Sequence, residues 1–220
     1  MEFPDFTPKK VPRQARSRAT FDAIVEAAAR LLVREGYGAT TTNRVAEEAG
    51  VSIGSLYEYF GDKDVIVHQV LLRLGDDFFA EAARALVDLA DVPLHEAIRA
   101  WLAILVQGMR TREPLLRAIF NDVPLIIRES LRKQAWDRHI GLAREAYALA
   151  GSSVRSERTG EILFVLVTMV EATLTRLVLD PPEGVDPAVV MDELAERIAE
   201  WVAAPAEAPA LTNGSDKTSH

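Results

Sequence analysis

Gly50 constrains this chain more than any other residue, because it sits between two short segments that each carry helical apolar spacing. Residues 40–63 read TTTNRVAEEAGVSIGSLYEYFGDK. A threonine can cap the first segment, which turns Val45, Ala46 and Ala49 inward and stops at Gly50, where the missing Cβ permits a left-handed turn. Ser52 can cap the second segment, which turns Ile53 and Leu56 inward. Gly54, Ser55 and Tyr57 then face outward, small and hydroxyl-bearing residues that allow close approach of a nucleic-acid groove. Two short helices meeting at a glycine turn spell a helix-turn-helix.

The rest of the chain reads as helix throughout. Phe21, Ile24, Val25, Ala28, Leu31 and Leu32 recur at helical spacing up to Gly36 and supply a supporting helix. Gly61 or Asp62 opens a fourth helix carrying Val65, Ile66, Val70 and Leu74, continued by Phe78, Ala82, Leu86 and Leu89, with Gly75 as a point of bending. Pro93 suits the first position of a helix with Leu94, Ile98, Trp101, Leu102, Leu105 and Met109 on one side. A short segment follows Pro114, and another helix runs from Pro124 toward Ala150. Gly151-Ser152-Ser153 reads as a linker, Asp180-Pro181-Pro182 stops an apolar helix at Leu179, and Asp186-Pro187 starts the last one. No segment has strand periodicity, and there is no internal repeat. The expected fold class is all-α, with an N-terminal three-helix helix-turn-helix head and a larger helical body.

Charge distribution matters more than the total. The 220 residues carry a net charge of −8, yet Lys9, Lys10, Arg13, Arg16 and Arg18 form a run with no acid among them. Such a run is either a solvated tail or an arm that follows phosphates, and the adjoining helix-turn-helix favours the arm. Cysteine is absent, which excludes disulfides and thiolate metal sites. No signal-peptide pattern opens the chain, and the apolar run at 162–170 is shorter than the roughly 18 residues of a membrane span. A cytoplasmic protein is expected.

The pattern Thr-Thr-x-x-Val-Ala-x-x-Ala-Gly-Val-Ser-x-Gly-x-Leu-Tyr-x-Tyr-Phe-x-Asp-Lys closely resembles the N-terminal DNA-binding domain of TetR-family transcriptional regulators. The resemblance covers residues 19–74, about a quarter of the chain. It implies a helix-turn-helix domain at 19–63 and a ligand-binding and dimerisation domain at 64–203, while the charge run marks 1–18 as a basic flexible arm and the Pro/Ala/Ser/Asn-rich end at 204–220, with too little apolar content to fold, reads as a disordered tail. It also implies that Thr42, Ser52, Tyr57 and Lys63 bind phosphate, while Asn43, Arg44, Gly54, Ser55 and Tyr59 reach or flank bases. Arg44 could instead pair with Glu47 or Glu48, and Phe60 suits the head core. Glu58, an acid between two tyrosines, has to face solvent, pair with a cation or accept from a cytosine amino group. The implied function is a homodimeric repressor that leaves a near-palindromic double-stranded DNA operator when a small-molecule effector binds. A helical regulator controlled by a protein partner is the alternative.

Within the body, Trp101, Met109, Phe120, Trp136, His139, Tyr147 and Phe164 are candidates to line a pocket, although large residues at helical spacing are ordinarily core. Thr168, Glu171 and Thr175 put polar groups on an otherwise apolar helix, and Glu171 suggests a cationic or hydrogen-bonding ligand. Leu163, Val167, Val170, Leu174, Leu194 and Ile198 are the expected interface between copies, since two-fold dimers dominate oligomers. No cofactor or metal is expected, because His68, His95, His139 and His220 lack ligand spacing. No nucleophile turn or phosphate loop points to an enzyme.

Overall fold

The computed structural model describes residues 4–151, 154 and 158–203. Among these residues there are ten helices and no strand: α1 (Ala15–Ala39), α2 (Thr42–Ala49), α3 (Ile53–Tyr59), α4 (Lys63–Asp88), α5 (Leu94–Thr111), α6 (Glu113–Asp122), α7 (Leu125–Ser130), α8 (Arg132–Ala150), α9 (Thr159–Leu179) and α10 (Pro187–Val202). The all-α expectation is met. The tail at 204–220 and Ser152-Ser153 of the linker lie outside the described residues.

The head forms where the caps said it would. Thr41 accepts from the Arg44 amide at the start of α2, Gly50 ends that helix in the left-handed region at φ 67°, and Ser52 accepts from the Ser55 amide to open α3. Asp62 caps α4 by accepting from the amides of Asp64 and Val65. Ile24, Leu31 and Leu32 of α1, Val45 of α2, Leu56 of α3, Phe60, and Ile66 and Val70 of α4 close the head core. Ile53 departs from the expected pattern: it lies at the first position of α3 and stays exposed.

Two connections join head and body, one through α4 and one through α6 and α7. The first two turns of α4 belong to the head core, whereas Ala82 and Leu86 belong to a second core with Leu102, Leu105, Leu142, Leu166, Leu174, Leu194 and Ile198. Gly75 neither breaks nor ends α4; an Arg138 nitrogen lies 3.5 Å from where a side chain would begin. The second connection was not apparent from the sequence. Ile119 and Val123 at α6, and Ile127 of α7, are buried in the head core although they follow it by some sixty residues or more. The helix expected after Pro124 is divided at Leu131, so α7 is short and turns Ile127 toward the head.

Two further departures concern α1. It begins at Ala15, four residues before the boundary read at residue 19, and the arm before it is partly packed: Phe6 is buried in the head core and stacks on His68 at 5.0 Å. The charges around Phe6 masked a single apolar anchor. At the other end, α1 is interrupted at Gly36, with φ 78° and ψ 173°, a region open to glycine alone. A methyl group there would lie 2.8 Å from Oδ2 of Asp122 on α6. That carboxylate can swing aside, so the backbone sets the cost. Gly36→Ala is expected to lower unfolding free energy by about 1–3 kcal/mol, read from urea midpoints at unchanged m-value.

Candidate functional site

The outward face of α3 is built by what the inward face buries. Leu56, Tyr59 and Phe60 point into the head, leaving Gly54 and Tyr57 exposed and Ser55 half-buried. The Tyr57 side is tied to α2 by a 3.1 Å contact between the hydroxyls of Thr42 and Tyr57. Ser52 and Ser55 share a hydroxyl hydrogen bond at 2.9 Å in addition to the cap. Asn43 is exposed at the start of α2.

Arg44 does not pair with Glu47 or Glu48. Its guanidinium bridges to Glu35 and donates to the Ala39 carbonyl at 3.2 Å, while Glu48 is held by Arg30 and Arg34. These guanidiniums hold the Glu35 and Glu48 carboxyls below the usual carboxylate range. Arg44 is therefore oriented by a carboxylate behind it. Lys63 donates to the Tyr37 carbonyl at 3.1 Å and lies 3.8 Å over the Tyr37 ring. The Tyr37 hydroxyl in turn donates to Asp64, and burial followed by that hydrogen bond keeps the phenol protonated well above its ordinary range.

Tyr59 requires correction. It was expected to face DNA, but it is only 5% exposed and packs edge-on to Phe21 at 5.9 Å. The basic arm, which the sequence placed next to the head without a contact, packs instead on the Tyr57–Tyr59 end of α3. The Lys9 amide donates to the Tyr59 carbonyl at 2.8 Å, and the Lys9 ammonium donates to the Tyr57 carbonyl at 3.3 Å. Lys9, Lys10, Arg13, Arg16 and Arg18 are all exposed, and Lys9 is the one held against α3 by these contacts.

The body holds a cavity of about 770 Å³, partly open to solvent, between α4 and the helices from α5 to α10, inside the roughly 300–1,000 Å³ range of small-molecule sites. Seven of the expected lining residues reach it: Trp101, Met109, Phe120, Trp136, His139, Tyr147 and Glu171. Phe164 and Thr168 do not. Phe164 is 57% exposed on the outer side of α9, with its inner edge against Trp136 at 5.5 Å, and the Thr168 hydroxyl donates back to the Phe164 carbonyl. The expected interface residues also require correction. Leu163, Val167, Val170, Leu174 and Ile198 line the cavity, and Leu194 is buried in the body core. Apolar spacing located the helix but not which of its faces turns inward, since α9 is apolar on nearly every side.

His139 on α8 faces Glu171 across 3.8 Å, and His68 is covered by Phe6. Burial pushes both imidazoles below the ordinary histidine range, partly opposed at His139 by the Glu171 charge. The unfolded imidazoles gain protons near pH 6.5 while the folded ones stay neutral. Their contribution is therefore complete above that pH and is lost as pH falls below it. Between pH 7 and pH 5 the urea midpoint should drop, and the drop should shrink in the His68→Gln, His139→Gln double variant.

Comparison with known proteins fits this arrangement. The profile of bacterial regulatory proteins of the tetR family matches residues 24–70. The HTH-type transcriptional regulator HbdR of Aromatoleum sp. (strain CIB) is 43% identical over 61 residues, 28% of this chain, and the chain spans 27% of HbdR's length. The HTH-type transcriptional repressor AcnR of Corynebacterium efficiens is 28% identical over 167 residues, covering 70% of this chain and 79% of that protein. A solved SmeT–triclosan complex shares the fold with a TM-score of 0.61 at 17% identity, over 81% of this chain and 90% of that chain. Residues 24–70 therefore carry the N-terminal domain of the tetR family of bacterial regulatory proteins, set on an all-helical frame that solved tetR-family structures share.

Proposed function

We propose that the protein is a homodimeric, sequence-specific DNA-binding transcriptional regulator, a repressor that a small molecule releases from a near-palindromic operator. The observation that carries this reading is the outward face of α3. Gly54 and Tyr57 stand exposed beside the basic arm, with Thr42 and Asn43 of α2 on the same side of the turn. Gly54 lets the backbone close on a groove, the hydroxyls and Asn43 can hydrogen-bond to phosphate or base edges, and the arm supplies charge. The relatives HbdR and AcnR bear the names regulator and repressor.

Dimerisation is supported by α9. This 21-residue helix has a mean hydropathy of 2.0 in its most apolar window, enough by length and composition to cross a membrane, and one third of that window is buried in the protomer. Phe164, Val165, Thr168 and Ala172 face outward. That exposed strip, not the cavity-facing leucines, is the surface to cover with a second copy, with α10 alongside. A two-fold pair of heads reads successive major grooves when their recognition helices lie about one turn, ~34 Å, apart.

The cavity supports effector control, and the SmeT complex with triclosan is a case of this fold holding a small molecule. An effector that favours a head spacing unsuited to the operator weakens DNA binding, and DNA weakens effector binding by the same factor. The test is a gel shift on the upstream intergenic DNA at several salt concentrations, with Arg44→Ala and Tyr57→Ala alongside. Sequence-selective binding as a dimer, lost in both variants, supports the reading. A well-folded dimer with no selectivity for that DNA, or for any sequence recovered by selection from a random pool, overturns it.

A further inference from the structure

Resting on the reading of the cavity as an effector site, the charges along its wall identify the class of molecule it takes. Three arginines line it. Arg112 is held by Glu81 at 2.5 Å and Arg132 by Glu129 at 2.7 Å. Arg128 on α7 has no carboxylate and no hydrogen-bond acceptor among the described residues; its Nε is buried and unpartnered, and its guanidinium lies 5.7 Å from the centre of the Phe120 ring. The lining carboxylates are both occupied or wet: Glu129 by Arg132, and Glu171 facing His139 with half its side chain in solvent. A second buried donor without an acceptor, Trp101 Nε1, lines the same cavity. Buried donors are normally satisfied, so what this cavity lacks is acceptors and one negative charge.

The remaining wall is leucine, isoleucine, valine, alanine and aromatic rings, and it is long. Cavity-lining positions on α4 run from Leu71 to Leu86, which at the helical rise is about 22 Å. From this we infer that the effector is an amphipathic carboxylate, a long apolar body ending in a single acid group. The carboxylate docks on the Arg128 guanidinium, whose planar fork matches it with two parallel hydrogen bonds, and the apolar body lies along α4 and α5. This sets aside the cationic ligand that Glu171 suggested in the sequence.

Three probes with the same chain test it on the full-length protein: dodecanoate, dodecanol and dodecyltrimethylammonium, each below its micelle concentration. Trp101 and Trp136 line the cavity and report binding by fluorescence. Dodecanoate should bind at least about tenfold more tightly than dodecanol, with the cation weakest. Arg128→Gln should abolish the preference by bringing dodecanoate down to the level of dodecanol, whereas Arg128→Lys should keep part of it. Equal binding of acid and alcohol, tighter binding of the cation, or a preference that survives Arg128→Gln would overturn the charge assignment alone. Failure of all three probes to bind a folded protein would sink the assignment and, with it, the cavity as an effector site for such molecules.

Discussion

Gly54→Glu should abolish sequence-selective DNA binding while leaving the protein folded. Gly54 lies on the exposed side of α3, and the nearest atom to a side chain built there is the Ser52 hydroxyl at 3.8 Å, so a larger residue fits without moving the backbone. Its φ is not in the left-handed region, and replacing glycine within a helix is favourable by a few tenths to about 1 kcal/mol. The folded state therefore loses nothing. At the DNA surface the substitution removes the close approach and brings a carboxylate against phosphates and base edges. Like charges across an interface cost several kcal/mol, which corresponds to about a hundredfold loss of affinity or more. The measurement is a gel shift or fluorescence-anisotropy titration beside a thermal melt. Undiminished operator affinity with an unchanged melt would show that this face of α3 does not enter the groove. Gly54→Ala is the control, expected to bind DNA with a much smaller loss.

How far the sequence carried depended on whether the determinants were local. Thr41, Gly50, Ser52, Asp62 and Asp186 cap or terminate helices through contacts within a few residues, and each is found in that role. The head could be read for the same reason. Tyr59 could not, because its ring is amphipathic and only the packing of Phe21 and Phe60 around it decides that it turns inward. For α9 the difficulty is the opposite: with apolar residues on nearly every side, the spacing carries no orientation and does not distinguish the cavity face from the exposed strip. Arg128 and Ile127 were invisible because their meaning comes from α7 lying between the head core and the cavity, a placement across some sixty residues that no local pattern encodes.

That placement is the basis of the last expectation. Ile127 is fully buried in the head core, and its neighbour Arg128 lines the cavity in the body. Ile119 on α6 is in both the head core and the cavity wall. Coupling between the two ends therefore has a second physical route beside α4, and α7 is a short one. Ile127→Ala removes buried methyl groups where α7 packs on α4, and should lower unfolding free energy by about 2–5 kcal/mol. Such a loss could erase function through stability alone, so Ile127→Val is the informative partner, expected to cost only about 0.5–1.5 kcal/mol. If α7 carries the coupling, Ile127→Val binds operator and cavity probe with nearly unchanged affinities measured separately, while the factor by which each weakens the other shrinks toward one. Coupling energies are typically about 1–3 kcal/mol, so the change is measurable by titrating the probe with and without saturating DNA. An unaltered coupling factor in Ile127→Val, beside a reduced one in a variant at α4 such as Leu74→Ala, would assign the transmission to α4 alone. Ile127 would then be a packing residue that fixes the head in place without reporting on the cavity.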